Sequence, residues 1–102
     1  MREYDIFLPL YYNDGTPVEA RKFQDVQQAL LDHFGGLTFF PQPNQGFWAI
    51  GNVTYRDEIV IYRVLTTKPR ASRRFLADLK KDLRKKFRQE EILIIERDIA
   101  TI

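Results

Sequence analysis

The chain has 102 residues, 44% of them apolar and none of them cysteine, with a formal net charge of +2. That is one domain's worth of sequence with enough apolar material for a core. The composition rules out disulfides and thiolate metal sites. The N-terminal segment lacks the small-residue cleavage site of a signal peptide, and no window approaches the ~20 apolar residues of a membrane span. The expectation is therefore a cytoplasmic protein with no membrane partner.

Residues 4–12, YDIFLPLYY, read as a strand. Tyr4, Ile6, Leu8, Leu10 and Tyr12 share one face by the two-residue period, and Asp5, Phe7, Pro9 and Tyr11 share the other. Pro9 lacks an N–H and needs a bulge or an unpaired position. Asn13-Asp14-Gly15 signals a turn. Thr16, Pro17 and Glu19 then have the spacing of a capping box with proline at the first helical position. Phe23, Val26, Leu30 and Phe34 form one helical stripe. Gly35-Gly36 supplies the left-handed residue that ends a helix, with Leu37 placed for the contact after it.

A second strand starts at LTFF, 37–40. PQPNQG interrupts it, and FWAIG either resumes it or pairs with it as a hairpin. NVTYRDE reads as a connection and IVIYRVLT, 59–66, as a strand. Ser72 is placed to cap a second helix running to about Arg88. EILIIERDI, 91–99, is the last strand. The order β-α-β-β-α-β is that of an α+β, ferredoxin-like domain over residues 1–102: an antiparallel sheet with two helices on one face and the other face open.

The charge is unevenly spread. Lys68 to Arg88 holds ten Lys/Arg and two Asp, a local net of +8, and the remainder of the chain sums to −6. On a helix, Phe75, Leu76, Leu79, Leu83 and Phe87 fall on one side, and Arg73, Arg74, Lys81, Arg84, Lys85 and Arg88 on the other. Such a face is either a solvated outer surface or a ridge for nucleic acid or another polyanion. Asp78 and Asp82 can pair with neighbouring cations, which favours the solvated surface.

Alternation on the two central strands places Phe7, Tyr11, Ile61, Arg63 and Leu65 on the open face. A patch so apolar is rarely left bare. It could pair with a second copy as a homodimer, bind a small ligand or a protein partner with Trp48 nearby, or stack bases. RNA-recognition modules share the strand order, but their K/R-G-F/Y-G/A-F-V-x-F/Y signature fails against EIVIYRVL.

No catalytic constellation emerges. The one histidine, His33, sits at the end of the first helix, favoured there by the helix dipole or by packing. Asp57 and Glu58 are adjacent and point to opposite faces of a strand. Without cysteine or converging carboxylates no metal site is expected, and no phosphate-cradling motif or cofactor signature is present. A small enzyme with a pocket at the dimer interface, lined by Trp48, Tyr11, Tyr62, Arg63 and Asn44, is the alternative.

The segments YDIFLPLYYNDGTPV, FGGLT, GFW, YRDEIVIYRVLT and LRKKFRQEEILIIERDI resemble a family of short, uncharacterised bacterial proteins. The resemblance covers nearly the whole chain and implies a ferredoxin-like domain. It implies no activity.

Overall fold

A computed structural model gives the backbone of all 102 residues and the side chains of all but Gln42, Pro43, Asn44, Trp48, Ile50, Tyr55 and Arg56. The elements in chain order are β1 (Arg2–Pro9), α1 (Ala20–Phe34), β2 (Thr38–Ile50), β3 (Val53–Thr66), α2 (Pro69–Lys86) and β4 (Ile94–Asp98). All strand pairs are antiparallel, and the sheet order is β2-β3-β1-β4. This is the ferredoxin-like arrangement expected from the sequence.

The core lies between the helices and one face of the sheet. Tyr4, Ile6, Leu8, Val60, Tyr62 and Val64 point into it from the central strands, and Val26, Leu30, Leu76, Leu83, Phe87 and Ile92 meet them. These are the alternate residues of β1 and β3 and the apolar stripes of the two helices, as the sequence periods require. Buried hydroxyls are satisfied. Gln27 Nε2 donates to the Tyr62 hydroxyl at 3.0 Å, and the Tyr4 hydroxyl donates to Glu96 Oε1 at 2.8 Å. Burial first, and then that bond to a carboxylate, push the Tyr4 pKa up to about 12. His33 stacks on the Phe75 ring at 4.0 Å and ties the end of α1 to α2.

Several local expectations are corrected. β1 stops at Pro9, and Tyr11 lies beyond it in an isolated bridge with Pro17. The capping box does not form. Asp14 Oδ1 accepts from both the N–H and the hydroxyl of Thr16, which folds the turn instead. Glu19 Oε2 accepts from the Tyr12 hydroxyl at 2.5 Å and lies 3.2 Å from Lys22 Nζ, so its side chain is not available to cap α1, which begins at Ala20. The Tyr12 hydrogen bond, ahead of the lysine, holds the Glu19 carboxyl down to about 2. The other end of α1 is as expected, with Gly35 at φ 76° and its N–H bonded to Leu31 O.

α2 begins at Pro69 rather than at a Ser72 cap. Ser72 is buried in the first turn and donates to Thr66 Oγ1 at 2.9 Å, and the same oxygen accepts from the Lys68 N–H at 3.0 Å. At its far end Gln89 N–H reaches back to Arg84 O at 2.9 Å. Arg88 takes the left-handed conformation of that closure, at φ 54°, where glycine is the usual residue. Its guanidinium sits over the Tyr12 ring at 4.5 Å.

The largest departure is in the middle of the chain. β2 is one strand from Thr38 to Ile50, and NVTYRDE is no connection but the first half of β3. The register breaks once, between Phe40 and Asn44, and then resumes to the turn at Gly51-Asn52. Prolines at 41 and 43 are tolerated because β2 is an edge strand. β1 covers β3 only between Ile59 and Thr66, so the hairpin runs on past the sheet.

Candidate functional site on the open sheet face

The face turned away from the helices is defined by register. Glu3 lies beside Leu65 and Arg97, Asp5 beside Arg63 and Ile95, and Phe7 beside Ile61, which in turn pairs with Phe40. Phe7 N–H bonds to Leu93 O at 3.0 Å, so Leu93 extends the Phe7 row on the other side. Pro9 and Ile59 form the next pair. The expected residues Phe7, Ile61, Arg63 and Leu65 are therefore brought together on this face. Tyr11 is not among them, for the reason given above. Trp48 pairs with Tyr55 in the hairpin, but its side chain, like that of Asn44, lies outside the described residues.

The face has two halves of different chemistry. At the Glu3 end is an ionic cluster. Asp5 is only 3% exposed, yet it is charged and fully engaged. Arg63 Nε and Nη2 donate to its two oxygens at 2.8 and 3.0 Å, and Arg97 Nη1 donates to Oδ2 at 2.8 Å. Glu3 adds a second carboxylate 3.0 Å from Arg63 and 3.6 Å from Arg97. The Arg63 hydrogen bonds, with help from Arg97, hold the Asp5 carboxyl below the usual carboxylate range against the opposing effect of burial. A carboxylate locked by two guanidiniums is a structural anchor and a poor proton acceptor. Nothing in the sequence pairs residue 5 with residues 63 and 97, so this cluster was not foreseen beyond the placement of Arg63.

At the other end the face is apolar. Leu93, just before β4, and Phe7, Ile61 and Phe40 of β1, β3 and β2 form a row across the sheet, flanked by Ile95, Pro9 and Ile59. Leu93 is 52% exposed, and the rest of the row is half-buried. Arg63 leans over the Phe40 ring at 5.2 Å, where the two halves meet.

Beyond the edge of this face is an open cleft of about 970 Å³, lined by Pro9, Tyr11, Tyr12, Asn13, Gly15, Asp57, Glu58 and Gln89 to Glu91. Tyr11 thus belongs to the cleft and not to the sheet face. On the opposite side of the molecule, α2 presents its cations. Of the six expected there, Arg73 lies 3.6 Å from Glu96 and Arg88 covers Tyr12. Arg74, Lys81, Arg84 and Lys85 are exposed and, among the described residues, make no ion pair. No group of three His or carboxylate side chains suited to a metal occurs among the described residues, and no described helix is long and apolar enough to cross a membrane.

Three solved structures share the fold. A phage SAM lyase in complex with S-methyl-5'-thioadenosine is similar to 95% of this chain and 80% of its own, at 16% identity and a TM-score of 0.66. The same lyase in its apo state gives 16% identity, 94% and 78% coverage and a TM-score of 0.65. A single-site variant of CutA1 from Pyrococcus horikoshii OT3 matches all of this chain and 86% of its own, at 13% identity and a TM-score of 0.62. At these identities the likeness establishes the fold alone. No family model and no curated protein matches the sequence.

Proposed function

We propose that the protein is a non-enzymatic, cytoplasmic binding module that works as a homodimer, its open sheet face covered by the same face of a second copy. The observation that carries this reading is the apolar row Leu93–Phe7–Ile61–Phe40 beside a saturated ionic cluster. The row needs an apolar cover. The cluster needs none, because its charges already satisfy one another. A two-fold axis would bring the two open faces together and set the register with Arg63, Arg97 and their carboxylates at the rim. A small ligand or a protein partner is then held where the paired faces open into the Tyr11 cleft.

The test is molar mass by light scattering over a range of concentrations. The wild-type chain is expected to be dimeric, and Ile61→Asp monomeric with its circular dichroism unchanged, since Ile61 points away from the core. A wild-type chain still monomeric at ~100 μM, which corresponds to association weaker than about 5.5 kcal/mol, overturns the reading.

An enzyme with its pocket between two copies is the competing possibility, and the phage lyase makes it concrete. Incubating the protein with S-adenosylmethionine is expected to leave that compound intact. Its turnover would move the protein into the enzyme class.

A second reading rests on the four exposed cations of α2 that make no ion pair among the described residues. A polyanion binder predicts that a labelled DNA or RNA oligonucleotide is held at low salt, with an affinity that falls steeply as salt rises. Lys81→Glu combined with Arg84→Glu should then abolish binding. No change in fluorescence anisotropy at low salt would retire this reading.

A further inference from the structure

The distal part of the β2–β3 hairpin runs on past β1. Beyond Glu58, whose carbonyl accepts from the Leu10 N–H at 3.0 Å, the two strands pair only with each other, from Gly46↔Asp57 to Ile50↔Val53. Five residues at ~3.4 Å each make an arm of about 17 Å. The molecule's dimensions register it. The radius of gyration is 14.2 Å, where a compact chain of this length has about 13 Å, and the long axis is 43 Å against 29 and 24 Å.

The arm presents apolar side chains on both of its faces. Phe47 is 65% exposed and Val53 is 53% exposed, and by register they lie on opposite sides of the ribbon. From Leu37 to Tyr55 the sequence has no charged residue, in a chain that is 29% charged. A two-stranded ribbon is marginally stable in water on its own. Charge is confined to the base of the arm on β3, at Arg56 and Asp57, and its tip from Phe47 to Tyr55, with Phe47 and Val53 exposed, is suited to packing on another apolar surface.

We propose that this arm clasps a second copy of the chain, lying across that copy's Leu93–Phe7–Ile61–Phe40 row while the partner's arm does the same in return. The dimensions and chemistry match. Four strands at ~4.8 Å spacing make a sheet about 19 Å wide, close to the length of the arm. The row carries no charged residue, and neither does the tip of the arm from Phe47 to Tyr55. β3 runs unbroken from the row at Ile61 through Ile59 into the arm at Val53, so the two surfaces are continuous and a two-fold exchange buries both at once. The inference rests on the homodimer proposed above and specifies what holds it.

The experiment compares the wild-type chain, Ile61→Asp and the arm variant Phe47→Asp/Val53→Asp. Dissociation constants come from sedimentation equilibrium, and hydrogen exchange is followed over residues 45–58 above and below the wild-type constant. The arm lies outside the core, so its variant should keep the wild-type circular dichroism. The expected result is a dimer weakened at least ~30-fold by the arm variant, as for central interface residues, with arm amides protected only at the higher concentration. A wild-type dimer that Ile61→Asp dissociates, but whose constant and arm exchange are indifferent to the arm variant and to concentration, overturns the arm and leaves the homodimer standing. A wild-type chain that is monomeric throughout overturns both.

Discussion

Phe87→Ala is expected to destabilise the protein by about 3–5 kcal/mol, the usual cost of emptying a fully buried aromatic site. Phe87 has no exposed surface and sits where α2 ends. Its ring meets Phe23 of α1 edge-on at 5.4 Å, and its N–H bonds to Leu83 O at 2.8 Å. One residue therefore closes the helix, joins it to the other helix and fills the adjoining core. The surroundings cannot collapse easily, because Lys22 Nζ also reaches across to Lys86 O at 2.7 Å and holds the same junction. Against a total of about 5–15 kcal/mol, a loss of this size removes a large part of the stability. Urea unfolding should show a lower midpoint with an unchanged slope. A loss below ~1 kcal/mol would mean that the end of α2 is not docked as described.

Asp5→Asn is expected to cost about 2 kcal/mol and to change the acid sensitivity of the fold. A fully buried ion pair broken at one end costs about 3–5 kcal/mol. The value here is lower because the side chains of Arg63 and Arg97 retain access to water and Glu3 remains beside both. The sign of the pH effect follows from the direction of the shift. The folded-state pKa of Asp5 is lowered from 3.8. Its stabilising contribution is thus fully present above the unfolded value and is lost as pH falls through the lower folded value. Urea midpoints measured from pH 5 downward should fall less steeply for Asp5→Asn than for the wild type. Glu19, held down to about 2, titrates in the same window, so Glu19→Gln is the control that separates the two. Parallel pH profiles for wild type and Asp5→Asn would show that the arginines do not hold the carboxylate as described.

Both residues illustrate what was legible beforehand. Phe87 was on the apolar stripe of the second helix, and periodicity alone put it in the core. Phe7, Ile61, Arg63 and Leu65 were assigned to the open face because a strand alternates with period two. Gly35-Gly36 announced the end of α1 through a backbone need that glycine meets best. Periodicity could not see contacts made across long stretches of chain. Asp5 finds Arg63 and Arg97 only when β1 lies between β3 and β4, so its charge looked like a mere interruption of an apolar strand. The capping box failed for a similar reason. Tyr12 and Lys22 claim Glu19 once the Asn13-Asp14-Gly15 turn brings them together, and a tertiary contact outcompetes a local one. The prolines of PQPNQG read as an interruption of β2, and whether FWAIG resumed the strand or turned back as its partner stayed open. With the course of β2 left open, the first half of β3 had no assigned partner and looked like a loop. The hairpin arm was missed for that reason alone.

The strand order also constrains the sequence of events in folding. β1 is central, yet both of its partners come late in the chain: Arg2 pairs with Thr66 on one side and with Asp98 on the other. Only β2 and β3 are joined by a short turn, at Gly51-Asn52. A hairpin closes in roughly 1–10 μs, whereas the β1 pairings must wait for loops of about fifty residues or more to close. The hairpin and the two helices can thus form as local pieces, while the strand synthesised first is the last to find its place between them. Folding is expected to be limited by insertion of β1, and substitutions in its buried row of Tyr4, Ile6 and Leu8 should act mainly on the folding rate if that insertion is the barrier.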